Sequence, residues 1–294
     1  MKVLLVTDSR DWHASRMEEA YAARKSEVVR LDLKACHFST ASPTGLDLPG
    51  FPSPPDFVQV RTMSAGSFEA TTKRLGVLHA LDRVGVRVVN APRAIEACVD
   101  KSMTSFLIAR AGIPTPSTWT LESFEHARAL VRRESEHGPL VLKPLFGAQG
   151  KGLRLLRSMD DLPKPEEVSG VYYLQRFEPI DAEDFRDFRV FVVGGNVVAA
   201  MMRRAPTWIT NVKRGGEPLA VPRDETLETL ALAAAHAVGA EIAGVDIILG
   251  REGPRVLEVN SMPAWSGLQK VAGADIAGAI ADHVLSGIQC ERHR

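Results

Sequence analysis

The sequence predicts a mixed protein, part α/β and part α+β, on the strength of three observations. The first ~95 residues alternate short β-rich runs with helical patterns. Residues 139–156, PLVLKPLFGAQGKGLRLL, form a strand, a glycine-rich loop and a second strand. Near the end, AGVDIILG and PRVLEVN are two strands with acidic groups at spaced positions. At 294 residues the chain exceeds the usual single core, so two or three lobes and a cleft between them are expected.

The elements follow in order. Residues 3–7 (VLLVT) predict a strand, residues 15–24 a helix, and EVVRLDL a second strand, which makes a β-α-β start. DFVQV and VRVVN continue the series around the helical FEATTKRLGVLHALDRVG, and the parallel layer closes by residue 95. ASPTGLDLPGFPSPP, with five prolines and two glycines, predicts a surface loop within this lobe. Two helices are expected in APRAIEACVDKSMTSFLIARAGIPTP, the second stopped by Gly112 and Pro114. STWTL, a helix over 123–136, the glycine loop between its strands, and VYYLQRF complete a central lobe assigned to 96–173. The last lobe, 174–294, contains DFRVFVVGGNVVAAMMRRA as a hairpin turned at Gly194-Gly195-Asn196, a helix over 225–240, the two acidic strands joined by Arg251-Glu252-Gly253, and a helix over 274–288.

Composition narrows the function. Lys plus Arg equals Asp plus Glu at 36 each, so no global field favours nucleic acid or a membrane surface. Cys36, Cys98 and Cys290 lack the spacing of a disulfide framework or zinc knuckle, which fits a reducing cytoplasm. The opening VLLV is too short for a signal peptide, and ALAAAHAVGAEIAGV is broken by His236 and Glu241.

The glycine loop fits neither familiar nucleotide motif. A Walker loop needs GxxxxGK[ST] ahead of a helix, but only two residues separate Gly147 from Gly150, and Gly152 follows Lys151. A dinucleotide fingerprint opens a helix, whereas GAQGKG leads into the strand LRLL. What remains is a glycine hairpin tip whose amides can approach an anion, with Lys143 at its base, or an ordinary structural turn.

Downstream, period two puts Val256, Glu258 and Asn260 on one strand face and Leu257 and Val259 on the other. If the two acidic strands pair, Asp246 joins Glu258 and Asn260 in an oxygen-donor cluster of the kind that suits magnesium with nucleotide phosphates. The alternative is a solvated strand face. Between these elements lie Arg189, Arg203, Arg204, Asn211, Lys213 and Arg214, a set suited to phosphate or carboxylate. Arg203 and Arg204 alternate, so one of them is expected to face a cleft.

Lys101, Lys143, the glycine hairpin and D…E-x-N occur in an order that resembles the ATP-grasp enzymes, and within them the RimK-type amino-acid ligases. VDKSMTSFLIARAGIPTP, PLVLKPLFGAQGKGLRLL, DFRVFVVGGNVVAAMMRRA and AGVDIILGREGPRVLEVNSMPAWSGLQK bear the resemblance, which covers nearly the whole chain. It implies an ATP-grasp fold behind a Rossmann-like N-terminal lobe, with ATP between two α+β lobes under the glycine hairpin. It assigns Lys101, Lys143, Gly147, Gln149 and Gly150 to the phosphates, Gln175, Arg176 and Phe177 to the adenine, and Asp187 to the nucleotide. Asp246, Glu258 and Asn260 would hold Mg2+ or Mn2+, and Arg189, Arg203 or Arg204, and Asn211 would stand near the transferred phosphoryl group. The family's QEY or QEF is Gln175-Arg176-Phe177 here, which puts a side-chain acid role at that position in doubt.

The reaction so implied activates a carboxylate as an acyl phosphate and couples it to the amine of an amino acid, glutamate by resemblance. Acceptors within the group are a protein C-terminus, an amino-carrier protein, or a folate-like or pterin cofactor such as tetrahydromethanopterin; a small molecule is preferred here. Other ATP-grasp peptide ligases and a non-catalytic nucleotide module are the rival readings. Arg61, Trp208 and Arg214 are candidates for carboxylate or ring contacts, or are surface and packing residues. A homo-oligomer is expected only as the general habit of such enzymes.

Overall fold

The computed structural model describes residues 1–147, 150–178 and 184–291. Its first lobe contains β1 (Lys2–Val6), α1 (Trp12–Ala23), β2 (Glu27–Leu31), β3 (His37–Phe38), β4 (Leu46–Asp47), β5 (Phe57–Val60), α2 (Phe68–Arg83) and β6 (Arg87–Val89). Strands β2-β1-β5-β6 form a parallel sheet, as the β-α-β reading requires. Helix α1 begins three residues before its expected start because Asp11 caps it, accepting from the Ala14 amide at 2.9 Å. The proline-rich segment is more than a loop: β4 pairs with β3, and Leu46, Leu48 and Phe51 are buried against α2's core.

Helices α3 (Pro92–Val99) and α4 (Lys101–Arg110) follow, then β7 (Thr118–Leu121), α5 (Phe124–Ser135), β8 (Leu140–Lys143), β9 (Arg154–Leu156) and β10 (Tyr172–Arg176). The antiparallel sheet β7-β10-β8-β9 packs α5 on one face. The expected boundary after residue 173 therefore cuts β10, all of which belongs to this sheet. The boundary at 95/96 likewise falls inside α3. Ala94 and Ile108, from α3 and α4, pack with Val245 and Val256 of the last lobe rather than with the central sheet.

The last lobe contains β11 (Phe185–Val193), β12 (Asn196–Ala205), β13 (Glu217–Ala220), α6 (Glu225–Ala237), β14 (Ile242–Gly250), β15 (Gly253–Asn260), α7 (Ser266–Val271) and α8 (Ile276–Glu291). Its sheet runs β13-β12-β11-β14-β15. Alternation along β11 sends Val190 and Val192 to the α6 side and Phe191 and Val193 to the opposite core. That second core is shared: Val3, Leu5, Met17 and Tyr21 of the first lobe interleave with Phe191, Trp265, Ile276 and Ile280.

Polar contacts fix the same junction. Buried Asn90 donates to the carbonyls of Ile242 (2.7 Å) and Ser261 (2.6 Å) and accepts from the Ile242 amide (2.8 Å). His13 Nε2 accepts from the amides of Trp265 and Ser266, each at 3.1 Å, so its Nδ1 bears the proton and donates to Asp11 at 3.1 Å. Burial, helped by Arg61 and Lys213, pushes the imidazole down to about 4 against the raising effect of Asp11.

The unfolded imidazole titrates near 6.5, so between that value and about 4 the unfolded chain binds the extra proton. The His13 contribution is thus fully present above 6.5 and is lost as pH falls through this window. Urea midpoints measured at about pH 7.5 and about pH 4.5 should fall further in the wild type than in His13→Gln, once the common acid loss is subtracted. Equal falls would refute the assignment.

Candidate functional site

A cleft lies between the central sheet and the last sheet. Each wall follows from strand alternation. On β10, Tyr172 and Leu174 pack on the α5 side, so Gln175 faces the cleft, where its Oε1 accepts from Lys143 Nζ at 2.7 Å. Arg176 takes the α5 side. It donates to the carbonyls of Glu134 (2.8 Å) and Gly138 (3.2 Å), pairs with the Glu134 carboxylate and lies over the Trp119 ring. Its guanidinium thus satisfies carbonyls at the C-terminal end of α5, and only the neighbouring backbone is left to serve the cleft.

Lys101 and Lys143 both line the cleft, and burial pushes both ammonium groups below their ordinary values. Glu258 opposes this shift in each case, while Lys101 reinforces it at Lys143. Asp100 at Lys101 and Asp246 at Lys143 add to the effect of Glu258, yet burial prevails at both ammonium groups, and a polyphosphate would supply further negative charge. Lys101 Nζ meanwhile donates to the carbonyls of Leu145 (3.3 Å) and Gly147 (2.8 Å), tying the glycine hairpin to α4.

The hairpin reaches across to the segment after β12. Gly150 has φ +66, and a Cβ there would lie 2.5 Å from Asn211 Oδ1 and 3.0 Å from Ile209 Cγ2. Only glycine lets the tip seat against that wall. Gly147 and Asn211 line the cleft as expected; Gln149 lies outside the described residues.

The floor is a buried set of charges placed by register. Asp187 is directly opposite Arg203, and Arg189 directly opposite Asp246. Arg203 donates to Asp187 (Nε, 2.7 Å) and reaches Asp246 at 3.1 Å, while Arg189 forks onto Asp246, with Nη2 at 2.8 Å. Burial raises the Asp246 carboxyl, but Arg189 and Arg203 outweigh it and hold the group well below the usual range. At Asp187 the same burial, reinforced by the Asp246 charge, outweighs Arg203 and a Thr210 hydrogen bond and pushes the carboxyl upward. Arg204 faces the other way, as alternation demands; it is exposed and binds Asp184 at 2.6 Å, so it is not a cleft residue. Arg189 sits beneath Asp246, beside Gly244 and Pro263, without lining the cleft itself.

The acidic strands depart from simple period two. Asp246 pairs with Glu258 but Ile247 pairs with Val256, so a bulge at Leu257 puts two residues opposite one. Val256 and Val259 enter the α6 core, whereas Leu257 and Glu258 both face the cleft. The expectation that Val256 shares a face with Glu258 and that Leu257 lies opposite is corrected by this bulge. Glu258 and Asn260 do meet, Asn260 Nδ2 donating to Glu258 Oε1 at 3.1 Å.

Sequence reasoning missed Glu178, Ile248, Thr210 and Leu257, all of which line the cleft. Ile248 was recoverable, since it is two residues beyond Asp246. Trp208, a candidate for ring contact or packing, meets Phe177 edge to face at 5.9 Å and shares a narrow slot with Ile248 and Leu257, bordered by Glu178, Asp187 and Thr210. Such a slot accepts a flat ring. The oxygen donors Asp246, Glu258 and Asn260 suit a hard cation, although Asp246 is already shared with two arginines. Among the described residues no group of three or more His, Cys, Asp or Glu could hold a metal ion.

The RimK-like ATP-grasp domain matches residues 98–284 of this chain. The tetrahydromethanopterin:alpha-L-glutamate ligase of Methanosarcina acetivorans is 32% identical over 321 aligned residues, covering 96% of this chain and 97% of its own. The protein of the same name from Methanococcus maripaludis is 38% identical over 207, covering 68% and 70%. Among solved structures, the ATP-grasp ligase PsnB, complexed with a phosphomimetic variant of its minimal precursor, Mg and ADP, superposes with a TM-score of 0.73 at 22% identity, over 98% of each chain.

Removing Arg203 would leave Asp187 and Asp246 buried with too little positive charge. Arg203→Met is expected to lose about 3–5 kcal/mol of unfolding free energy, measured in urea. Adding Asp187→Leu should recover part of the loss, and a double variant no more stable than the single one would argue against this coupling.

Proposed function

The chain belongs to the RimK-like ATP-grasp family and is an ATP-dependent carboxylate–amine ligase, and from that premise we propose that it joins L-glutamate to the carboxylate of a pterin cofactor such as tetrahydromethanopterin, in the cytoplasm. The observation that supports a phosphate-driven reaction is the pair of desolvated lysines facing Glu258. Glutamate and the pterin are suggested by what the relatives of 32% and 38% identity are called.

In this reading Lys101 and Lys143 grip the polyphosphate, Lys101 exchanging its lid carbonyls for phosphate oxygens while Gln175 keeps Lys143 aimed. Phe177, Trp208, Ile248 and Leu257 sandwich the adenine, and the Gln175–Phe177 backbone meets its edge. Glu258 and Asn260, with Asp246, would hold a divalent cation, Mg2+ or Mn2+, which when bound would draw charge from the phosphoryl oxygens. Arg203 and Arg189 fix Asp246 in place, and Asn211 and Arg203 face the transferred group.

The acceptor carboxylate oxygen forms a bond to the γ-phosphorus as the bridging bond to ADP breaks, giving an acyl phosphate. The glutamate amine then attacks the carbonyl carbon, losing a proton, and phosphate departs to leave an amide. Positioning and charge suffice for both steps, so no protein nucleophile is needed. The lid, seated by Gly150 against Asn211, keeps water from the acyl phosphate.

A coupled assay of ADP release, run over amino acids and over pterin, amino-carrier-protein and peptide acceptors, tests the reading. Glutamate with a pterin should give turnover; release driven by another amino acid, or only by a peptide, would replace that part. Glu258→Gln should lower kcat by about 100-fold or more through the lost cation ligand, and near-normal activity would refute the metal assignment.

A further inference from the structure

Arg61 is buried in an unusual way. It stands just past β5, at the carboxyl end of a parallel strand, where open α/β sheets present their ligand-binding crevices. The residue is only 5% exposed, yet among the described residues its side chain donates no hydrogen bond, and Nε is sealed without an acceptor. Arginine offers five N–H donors in a fixed fork, and a buried fork is ordinarily satisfied.

The nearby carboxylates, Asp11 and Asp8, favour its charge, but neither accepts a hydrogen bond from it. Asp11 Oδ2 lies 3.6 Å from Arg61 Nη2, beyond hydrogen-bonding distance, and Asp11 is already committed to the Ala14 amide and to His13. His13 is neutral and accepts two backbone amides, so it supplies no negative charge. Lys213 adds further positive potential from the neighbouring loop.

A second orphan donor lies beside the first. The Arg61 guanidinium sits over the Trp265 ring at 5.2 Å, and the buried Trp265 Nε1 also lacks an acceptor. Trp265 follows Asn260 by five residues, in the segment that leaves β15.

We infer that Arg61, backed by Trp265, grips a carboxylate of a substrate other than the one being phosphorylated. A planar carboxylate matches the guanidinium fork and replaces the missing acceptors. The inference rests on the ligase reading, in which the amine substrate bears carboxylates that do not react and the acceptor can bear a second one. Either source presents the same chemistry to Arg61.

The test compares wild type with Arg61→Met and Arg61→Lys, using whichever amino acid and acceptor support ADP release. Arg61→Met should raise the KM of one carboxylate substrate by about 100-fold while leaving that of ATP unchanged, and Arg61→Lys should recover part of the loss. If the amino-acid KM moves, and the wild type's discrimination between L-glutamate and its α- or γ-amide disappears in Arg61→Met, the carboxylate is the amine substrate's. A shift confined to the acceptor assigns it there. Arg61→Met also gives up the 3.6 Å ion pair with Asp11 and the stacking over Trp265, so a modest fall in melting temperature is expected beside the change in KM, and Arg61→Lys, which keeps the charge, separates the two. A lowered melting temperature with both KM values within about twofold would make Arg61 a packing residue and overturn the inference. Calorimetric titration with glutarate needs no turnover: heat with wild type and none with Arg61→Met supports the site even where the glutamate reading fails, and equal heats overturn it.

Discussion

The alternating set Asp187, Arg203, Asp246 and Arg189 is the constraint on which the rest of the site depends. Buried charges are tolerated only when paired, and here every charge has a partner placed by cross-strand register. Because Asp246 is held by two guanidinium groups, its position relative to Glu258 is fixed before any ligand arrives. Three strands of one sheet thereby become a rigid platform, and the glycine hairpin stands on the opposite wall.

That opposite wall is built on different principles. The glycine hairpin is anchored at its base by Lys143 and Gln175, tied by Lys101 through backbone carbonyls, and seated at its tip by the absence of a Cβ at Gly150. These ties are few and involve groups that a polyphosphate would also engage. A rigid floor beneath a lightly held lid suits a reaction that must admit its substrates and then exclude water.

The first lobe is joined to the platform through one continuous core and through Asn90 and His13, whose partners are backbone groups of Ile242, Ser261, Trp265 and Ser266. This explains how a lobe distant in sequence can present Arg61 to the loop that follows Asn260. It also explains why the expected lobe boundaries were displaced: burial of α3 and α4 against β14 and β15 assigns those helices to the last lobe, although they precede the central one in sequence.

Local rules made much of this legible. Alternation identified the strands, the failure of two spacing motifs isolated the glycine hairpin, and D…E-x-N with two upstream lysines indicated the ATP-grasp chemistry. Alternation also required Arg203 and Arg204 to part, since adjacent strand residues cannot share a face. Which of them turned inward was decided by Asp187 across the ladder. The bulge at Leu257, the turning of Arg176 toward α5, the aromatic slot at Trp208 and the unsatisfied fork of Arg61 were not legible, because each depends on a partner far away in the chain. The sequence by itself determined the periods, the glycines and the inventory of charges; the tertiary structure alone decided which charges meet, because pairing across strands and lobes is set by register and burial rather than by proximity along the chain.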